Sequence, residues 1–433
     1  MDPVSIIRKK RDGESLTRKE MNLLIGGIGN ETLPDYQAAA FLMATYIRGM
    51  NRDETRWLTE AMMNSGEVVD LSKVSGFTCD KHSTGGVGDK ITMIIAPMAA
   101  TLGLKVPMYS GKGLGHTGGT IDKLDAIAGF RTTLDTAAFV RSLNDIGIAN
   151  SMQTETIAPA DKRLYALRDV TATVDSIPLI TGSIMSKKLA CGANGLVLDV
   201  KFGNGAFMKT EQEARELASW LISMAPIRNI RVCALIDNMD DPLGYMVGNA
   251  LEMMEVIDVL KGKHVNDLIE ISTAIVSEML RLSGETGNVE AMANEVLEDG
   301  RALAKFREWV AYSGGDAAVI DDFSRFPQAS SRMDIVMGKA GYISQIYAQA
   351  IGEAAVYSGA GRLAKEDTLD YGAGIQLHVR RGDRIEAKDP VATLYFSTPR
   401  RDPGEIAEMI RGAFQLSEKP VPPLKRIVDT IHQ

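Results

Sequence analysis

Asp80-Lys81-His82-Ser83-Thr84-Gly85-Gly86-Val87-Gly88-Asp89 and, further on, Ser110-Gly111-Lys112-Gly113-Leu114-Gly115-His116-Thr117-Gly118-Gly119-Thr120-Ile121-Asp122 are two glycine-rich stretches around which the chain is organised. Both interleave glycines with hydroxyls and a lysine. Glycine permits positive φ and close backbone approach, so successive N–H groups can converge on one anion. The apolar stretch from Ile91 to Val106 between them is long enough for a helix and the next strand. Strand, glycine turn, helix and strand in that order belong to an α/β layer, in which ligands sit at the carboxyl ends of the strands. The pair of loops predicts an enclosed oxyanion site. Neither loop is a dinucleotide fingerprint, which needs G-x-G-x-x-G and an acid about 20 residues on, and neither continues into the Gly-Lys-Ser/Thr of a Walker loop.

Upstream, residues 1 to about 65 read as helices. Thr17 and Glu20 form a capping box, Pro34-Asp35 opens a second helix, and Asn51 to Glu54 caps a third. Short helices of this kind suggest a packing or dimerisation layer. Downstream, strands, helices and glycine turns alternate to about residue 240, as in Leu196 to Lys201 followed by Phe202-Gly203-Asn204-Gly205. Residues 250 to 312 read as helical, with Phe306 and Trp309 in the core. The last stretch, with Gly-Asp turns between short alternating runs, reads as a small β-rich unit resembling the barrel-sandwich of biotin- and lipoyl-carrying domains, without their modified lysine.

The chain has 433 residues, which predicts two or three domains. A net charge of −8 argues against general nucleic-acid binding, which rests on clustered Lys and Arg. No apolar run reaches the length of a membrane span, and no charged-then-apolar leader opens the chain. The scattered cysteines Cys79, Cys191 and Cys233 form neither a disulfide framework nor a zinc pattern, so a reducing, cytoplasmic setting is expected.

Two further segments carry chemistry: Leu164-Tyr165-Ala166-Leu167-Arg168 and Ser183-Ile184-Met185-Ser186-Lys187-Lys188. If Gly182-Ser183 opens a helix, Ser183 and Lys187 share a face at i and i+4. Each has a plain alternative: a solvated lysine on a helix, and a structural salt bridge for Arg168.

Taken together in this order, the glycine stretches and these two segments resemble the pyrimidine-nucleoside phosphorylases that include thymidine phosphorylase, over essentially the whole chain. The resemblance implies reversible phosphorolysis of a pyrimidine nucleoside such as thymidine or uridine. It implies phosphate binding by Lys81, Ser83, Thr92, Ser110 and Thr120 with the amides of Gly85 and Gly86 nearby, base binding by Arg168, Ser183 and Lys187, and a catalytic trio of His82, Arg168 and Lys187. The implied fold is a small all-α domain, 1–65 and 163–193, joined by hinges to a large α/β domain with a mixed sheet, 66–162 and 194–335. The β-rich portion 336–433, α+β and barrel-sandwich-like, packs on the α/β domain. The implied assembly is a homodimer through the α domain, with no nucleic-acid or membrane partner. No cofactor is required beyond phosphate as substrate.

The chain departs from the family pattern in four places. Lys112 stands where Arg is usual, Asp125 where Glu is usual, and Gln153-Thr154-Glu155-Thr156 lacks the usual hinge glycine. Lys90 falls at a monovalent-cation (K+) site whose other positions correspond to Gly88, Leu243, Met246 and Glu255. A lysine ammonium there is expected to reach Glu255 and stand in for potassium. The rival expectations are an anthranilate-type phosphoribosyltransferase, which needs paired acids for Mg²⁺, and a nucleoside-binding protein without turnover.

Overall fold

The computed structural model describes residues 2–433 apart from 114, 155 and 365; Leu114 of the second glycine stretch and Glu155 of the expected hinge therefore lie outside the described residues. The chain opens with four helices, α1 (Pro3–Arg11), α2 (Arg18–Gly29), α3 (Asp35–Arg48) and α4 (Arg52–Met63). Capping decides where they begin. Thr17 and Glu20 exchange side-chain and backbone hydrogen bonds at α2, and Asn51 and Glu54 do the same at α4. Glu54 also accepts from Lys10 at 2.7 Å and from the Leu16 amide at 2.9 Å, so one buried carboxylate ties α1, the following turn and α4 together.

The α/β part follows: β1 (Cys79–Ser83), α5 (Thr92–Thr101), β2 (Val106–Ser110), α6 (Thr120–Asp125), α7 (Thr136–Ile146) and β3 (Ile148–Met152). The chain then returns to the helical part with α8 (Pro159–Val170) and α9 (Ile177–Ala190). Ala160, Leu164 and Leu179 join Met21, Leu24, Phe41 and Leu58 in one buried cluster. Helix α9 crosses close to α4: a Cβ on Gly182 would stand 2.9 Å from Met62 Cε and 3.1 Å from Leu58 Cδ2. Its far end, Met185 and Leu189, belongs to the core of the α/β part. Ser183 and Lys187 are thus in the interior of a helix that opens at Ile177, not at its start.

Next come β4 (Gly195–Phe202), α10 (Glu211–Ile222), β5 (Arg231–Asn238), β6 (Met246–Val247) and four helices, α11 (Asn249–Leu260), α12 (Asn266–Ser283), α13 (Val289–Glu298) and α14 (Arg301–Tyr312). Phe306 and Trp309 are buried there, 6.1 Å apart edge to face. The C-terminal part holds β7 (Ser331–Val336), β8 (Gly341–Ile346), α15 (Ala348–Ser358), β9 (Gly374–Leu377), β10 (Arg384–Ile385), β11 (Pro390–Phe396), α16 (Pro403–Gly412), β12 (Phe414–Ser417) and β13 (Ile427–His432). Apart from β13, its strands form two antiparallel sheets, ordered β10-β8-β12 and, with β6 from the α/β part, β6-β9-β11-β7, packed with α15 and α16.

The central sheet runs β1-β4-β5-β13, parallel except for β13, which returns from the C-terminus to pair antiparallel with β5. A parallel pair, β2 and β3, continues it beyond β1 through the Thr78–Lys105 bridge. The architecture is mixed α/β, with a small helical part and a large α/β part. Strand β4 is buried throughout its length, as a central parallel strand should be. Register then matters: Ser83 stands opposite Asp199, and Lys201 opposite Asp237. Side chains alternate along a strand, so Lys81, Ser83, Asp199, Lys201 and Asp237 share one face, while Asp80 and His82 take the other. No helix of the described residues is long and apolar enough to cross a membrane.

Candidate active site

The first glycine loop leaves the carboxyl end of β1 with Gly85 at φ 99° and Gly88 at φ 74°, conformations that side chains with a Cβ rarely adopt. Gly86 is needed for space: a Cβ there would fall 2.6 Å from Met239 Cε and 3.0 Å from Lys201 Cδ. The second loop folds on itself, and a Cβ on Gly119 would lie 2.1 Å from the Gly113 nitrogen. Asp122 holds that loop, accepting from the Gly113 amide at 2.7 Å and from Arg362 of the C-terminal part at 2.8 Å.

A cavity of about 380 Å³ opens between the α/β and helical parts. Its lining includes His82, Ser83 and Gly85 from the first loop, Lys112 from the second, Tyr165 and Arg168 from α8, and Ser183 and Lys187 from α9. Phe207, half exposed, also lines it. Six of the residues expected at the site, His82, Ser83, Gly85, Arg168, Ser183 and Lys187, therefore meet in one space. Lys81, Gly86, Thr92, Ser110 and Thr120 do not line it. Lys81 is buried beneath the loop, and Thr92, Ser110 and Thr120 stand where α5 opens, β2 ends and α6 opens.

Arg168 forms no salt bridge among the described residues. Its guanidinium donates instead to the carbonyls of Thr173 (3.3 Å), Leu179 (3.2 Å) and Val174 (2.6 Å), which fix its plane at the end of α8. Lys187 is held by Asp161, 2.9 Å away and almost wholly buried, and lies 3.4 Å from Ser183 Oγ. Lys188, on the next position of the helix, faces into the α/β part and pairs with Asp80 at 2.9 Å. Sequence reasoning did not single out Asp161 or Asp80. The available signal for Asp161 is its place at the start of α8, where an acid favours the helix dipole.

Burial and the ammonium groups of Lys188, Lys187 and Lys81 hold His82 well below the ordinary histidine value. At neutral pH its ring is uncharged and can donate one hydrogen bond. The pH dependence of stability has a definite sign. Below about 6.5 the unfolded chain takes a proton that the folded His82 refuses, so this contribution is fully present above that value and is lost progressively as pH falls from there towards the depressed folded value. A His82→Gln variant is expected to show a smaller acid loss in chemical denaturation between about pH 6.5 and 5 than the unmodified protein. An unchanged acid loss would contradict the depressed value.

Lys90 is fully buried, and its ammonium donates to the carbonyls of Leu243 (2.9 Å) and Met246 (2.7 Å) and to Glu255 at 2.6 Å. Glu255 also accepts from the amides of Tyr245 and Met246. Gly244, at φ 71°, is packed so closely that a Cβ would be 2.7 Å from the Lys90 nitrogen. Of the positions of the expected cation site, Leu243, Met246 and Glu255 give their oxygens to this ammonium, and Gly88 rests against the Leu243 carbonyl. The residues do not fit a potassium ion, because the ammonium takes the oxygens that would ligate it. Among the described residues, no group of three or more His, Cys, Asp and Glu side chains is arranged to hold a metal.

Residues 75–303 match the family described as glycosyl transferase family, a/b domain; residues 4–66 match its helical bundle domain, and residues 342–417 match the pyrimidine nucleoside phosphorylase C-terminal domain. Among curated proteins, the pyrimidine-nucleoside phosphorylase of Staphylococcus aureus (strain USA300) is 44% identical over 426 residues, 98% of each chain. The chain belongs to the pyrimidine-nucleoside phosphorylase family. The Bacillus subtilis (strain 168) member is 46% identical over 398 residues, 91% of this chain and 92% of its own. The Geobacillus stearothermophilus phosphorylase is 43% identical over 434 residues, covering 100% of both. Among solved structures, anthranilate phosphoribosyltransferase from Thermus thermophilus aligns with a TM-score of 0.59 at 17% identity, over 71% of this chain and 99% of its own. That likeness shows a shared fold. The match to residues 4–66 falls on α1–α4, that to 75–303 runs from β1 to the start of α14 and includes α8 and α9 of the helical part, and that to 342–417 falls within the C-terminal part.

Proposed function

We propose that this phosphorylase-family chain carries out reversible phosphorolysis of thymidine, uridine or both. A phosphate oxygen attacks C1′, the bond from C1′ to the base nitrogen breaks, and its electron pair leaves with the pyrimidine. The products are the free base and an α-pentose 1-phosphate. The observation that carries this reading is the single cavity that brings His82, Ser83 and Gly85 of the phosphate-type loop against Arg168, Ser183 and Lys187 of the helical part.

In this reading Lys81, Ser83, Thr92, Ser110 and Thr120, with the amides of Gly85 and Gly86, hold phosphate. Arg168, Ser183 and Lys187 hold the base. Cleavage places positive charge on the sugar and negative charge on the pyrimidine. The phosphate dianion supports the first, and the two cations oppose the second. His82, neutral before substrates bind, serves as the hydrogen-bond or proton donor to the base oxygen as the base departs. Closure of the cleft would exclude water and favour phosphate over hydrolysis.

The same reading divides the chain into an all-α domain (1–65, 163–193), an α/β domain (66–162, 194–335) and a barrel-sandwich-like brace (336–433). Helix α3 supports a homodimer through the α domain, since Tyr36 and Ile47 are 75% and 68% exposed and Met43 and Tyr46 also face solvent. The free, buried cysteines are compatible with a cytoplasmic setting. The test is a panel of uridine, deoxyuridine, thymidine, cytidine and adenosine with orthophosphate, following base release. Release of uracil or thymine that depends on orthophosphate is expected. Turnover that instead requires pyrophosphate, or binding without turnover, would overturn the proposal.

A further inference from the structure

Beneath the first glycine loop, five ionisable side chains lie across the carboxyl ends of three parallel strands. Lys81 is on β1, Asp199 and Lys201 on β4, Asp237 on β5, and Asp89 ends the loop above them. All but Asp89 are at most 6% exposed. Their spacing is uneven in a way that matters. Lys201 is in full contact with two carboxylates, 2.9 Å from Asp199 and 2.5 Å from Asp237. Lys81 stands off from its partners, 3.6 Å from Asp199 and 3.9 Å from Asp89, and makes a hydrogen bond to neither carboxylate. The aliphatic stem of Lys201 also lies beneath Gly86, where an added Cβ would fall 3.0 Å from Lys201 Cδ.

We infer that Lys201 is a positioning residue for the phosphate site: by engaging Asp199 it keeps that carboxylate from capturing Lys81, leaving the Lys81 ammonium available to an incoming phosphate dianion. The inference rests on the proposed role of Lys81 in phosphate binding. In a buried setting a carboxylate with one unshared cation attracts it strongly. Two cations against three carboxylates leave the cluster short of positive charge, so the distribution of the existing cations decides what phosphate meets. Asp237 competes with Asp199 for Lys201. It faces Lys201 and Asp199 from β4 and the Arg426 guanidinium from the segment before β13, and burial pushes its pKa up to about 6 in spite of the cations. Lys201 itself stays charged: burial opposes the charge, but Asp199, Asp237 and Asp89 outweigh it. Lys123 secures the loop from the other side, donating to the Asp89 carbonyl at 2.5 Å and pairing with Glu252 at 2.9 Å.

The arrangement predicts opposite effects for the two neighbours of Asp199. In Lys201→Met the apolar floor is kept and Asp199 is released onto Lys81. The KM for phosphate is expected to rise at least about tenfold, with the nucleoside KM within about twofold, the factor of ten corresponding to ~1.4 kcal/mol. In Asp237→Asn the ammonium of Lys201 is given over to Asp199, and the phosphate KM is expected to fall about threefold. The double variant Asp199→Asn/Lys201→Met removes both the competitor and its partner and is expected to bring the phosphate KM back to within about threefold of the starting value. A merely structural lysine would give no such rescue and no such split between the two substrates.

The proposal is overturned if Lys201→Met leaves the phosphate KM unchanged, raises both KM values alike, or is not rescued by the double variant. If Lys201→Met does not fold, Asp237→Asn decides: a phosphate KM that rises or stays unchanged overturns the proposal, and a fall supports it. Lys81→Met, measured alongside, separates the two levels. If it leaves the phosphate KM unchanged, the assigned phosphate site is wrong. If it raises the phosphate KM while Lys201→Met does not, only the role of Lys201 fails.

Discussion

A Lys187→Met variant is expected to lose about 10²–10³ in kcat for base release, with the KM for phosphate little changed, because removing one preorganised group that stabilises developing charge costs roughly that much. The ammonium reaches the cavity from α9, is oriented by Asp161 at 2.9 Å, and shares the lining with the Arg168 guanidinium. Negative charge on the pyrimidine exists only as the C1′ bond breaks, so the loss falls on kcat. The substitution also leaves the buried Asp161 without its cation, and a loss of stability could imitate a loss of catalysis. The double variant Asp161→Asn/Lys187→Met separates the effects: it should recover thermal stability and remain as slow as Lys187→Met. Recovery of turnover in the double variant, or full turnover in Lys187→Met, would remove Lys187 from the site.

The second large effect is on stability. Lys90→Met is expected to destabilise the protein by about 3–5 kcal/mol, the usual cost of removing one partner from a buried ion pair. Glu255 is 4% exposed at its side chain, and the carbonyls of Leu243 and Met246 would lose their donor as well. If the ammonium takes the place of a monovalent ion, the unmodified protein should be indifferent to exchange of K+ for choline at constant ionic strength. Lys90→Thr should be more stable in K+ than in choline, because the vacated space is bounded by a carboxylate and two carbonyls. Thermal unfolding in the two salts measures both. A steep dependence of the unmodified protein on K+ would show that Lys90 does not fill that role.

Much of the local structure is legible in the sequence because it is governed by neighbouring residues. The caps at Thr17 and Asn51, the glycine loop after β1, and the buried strand Leu196 to Lys201 each follow from short-range hydrogen bonding, backbone freedom or apolar runs. The start of α9 is harder to read. Pro178, the second residue of the helix, and an apolar first turn mark it more weakly than Gly182 suggests a boundary. The helices α15 and α16 lie within a C-terminal stretch whose Gly-Asp turns point chiefly to strands.

The family and the two glycine loops are readable from contiguous motifs, and so are Arg168, Ser183 and Lys187, the residues expected across the cavity from them. The distribution of charge around those loops depends instead on partners that the fold brings together from distant positions. Lys90 meets Glu255 across 165 positions and Lys201 meets Asp237 across 36, and no local pattern links such partners. The one available hint was the presence of Asp199 and Lys201 in an otherwise apolar strand, where burying a charge is costly unless it is paired. Strand alternation and register then sent Lys81 beneath the phosphate-type loop and His82 toward the helical part, although the two are adjacent in the chain.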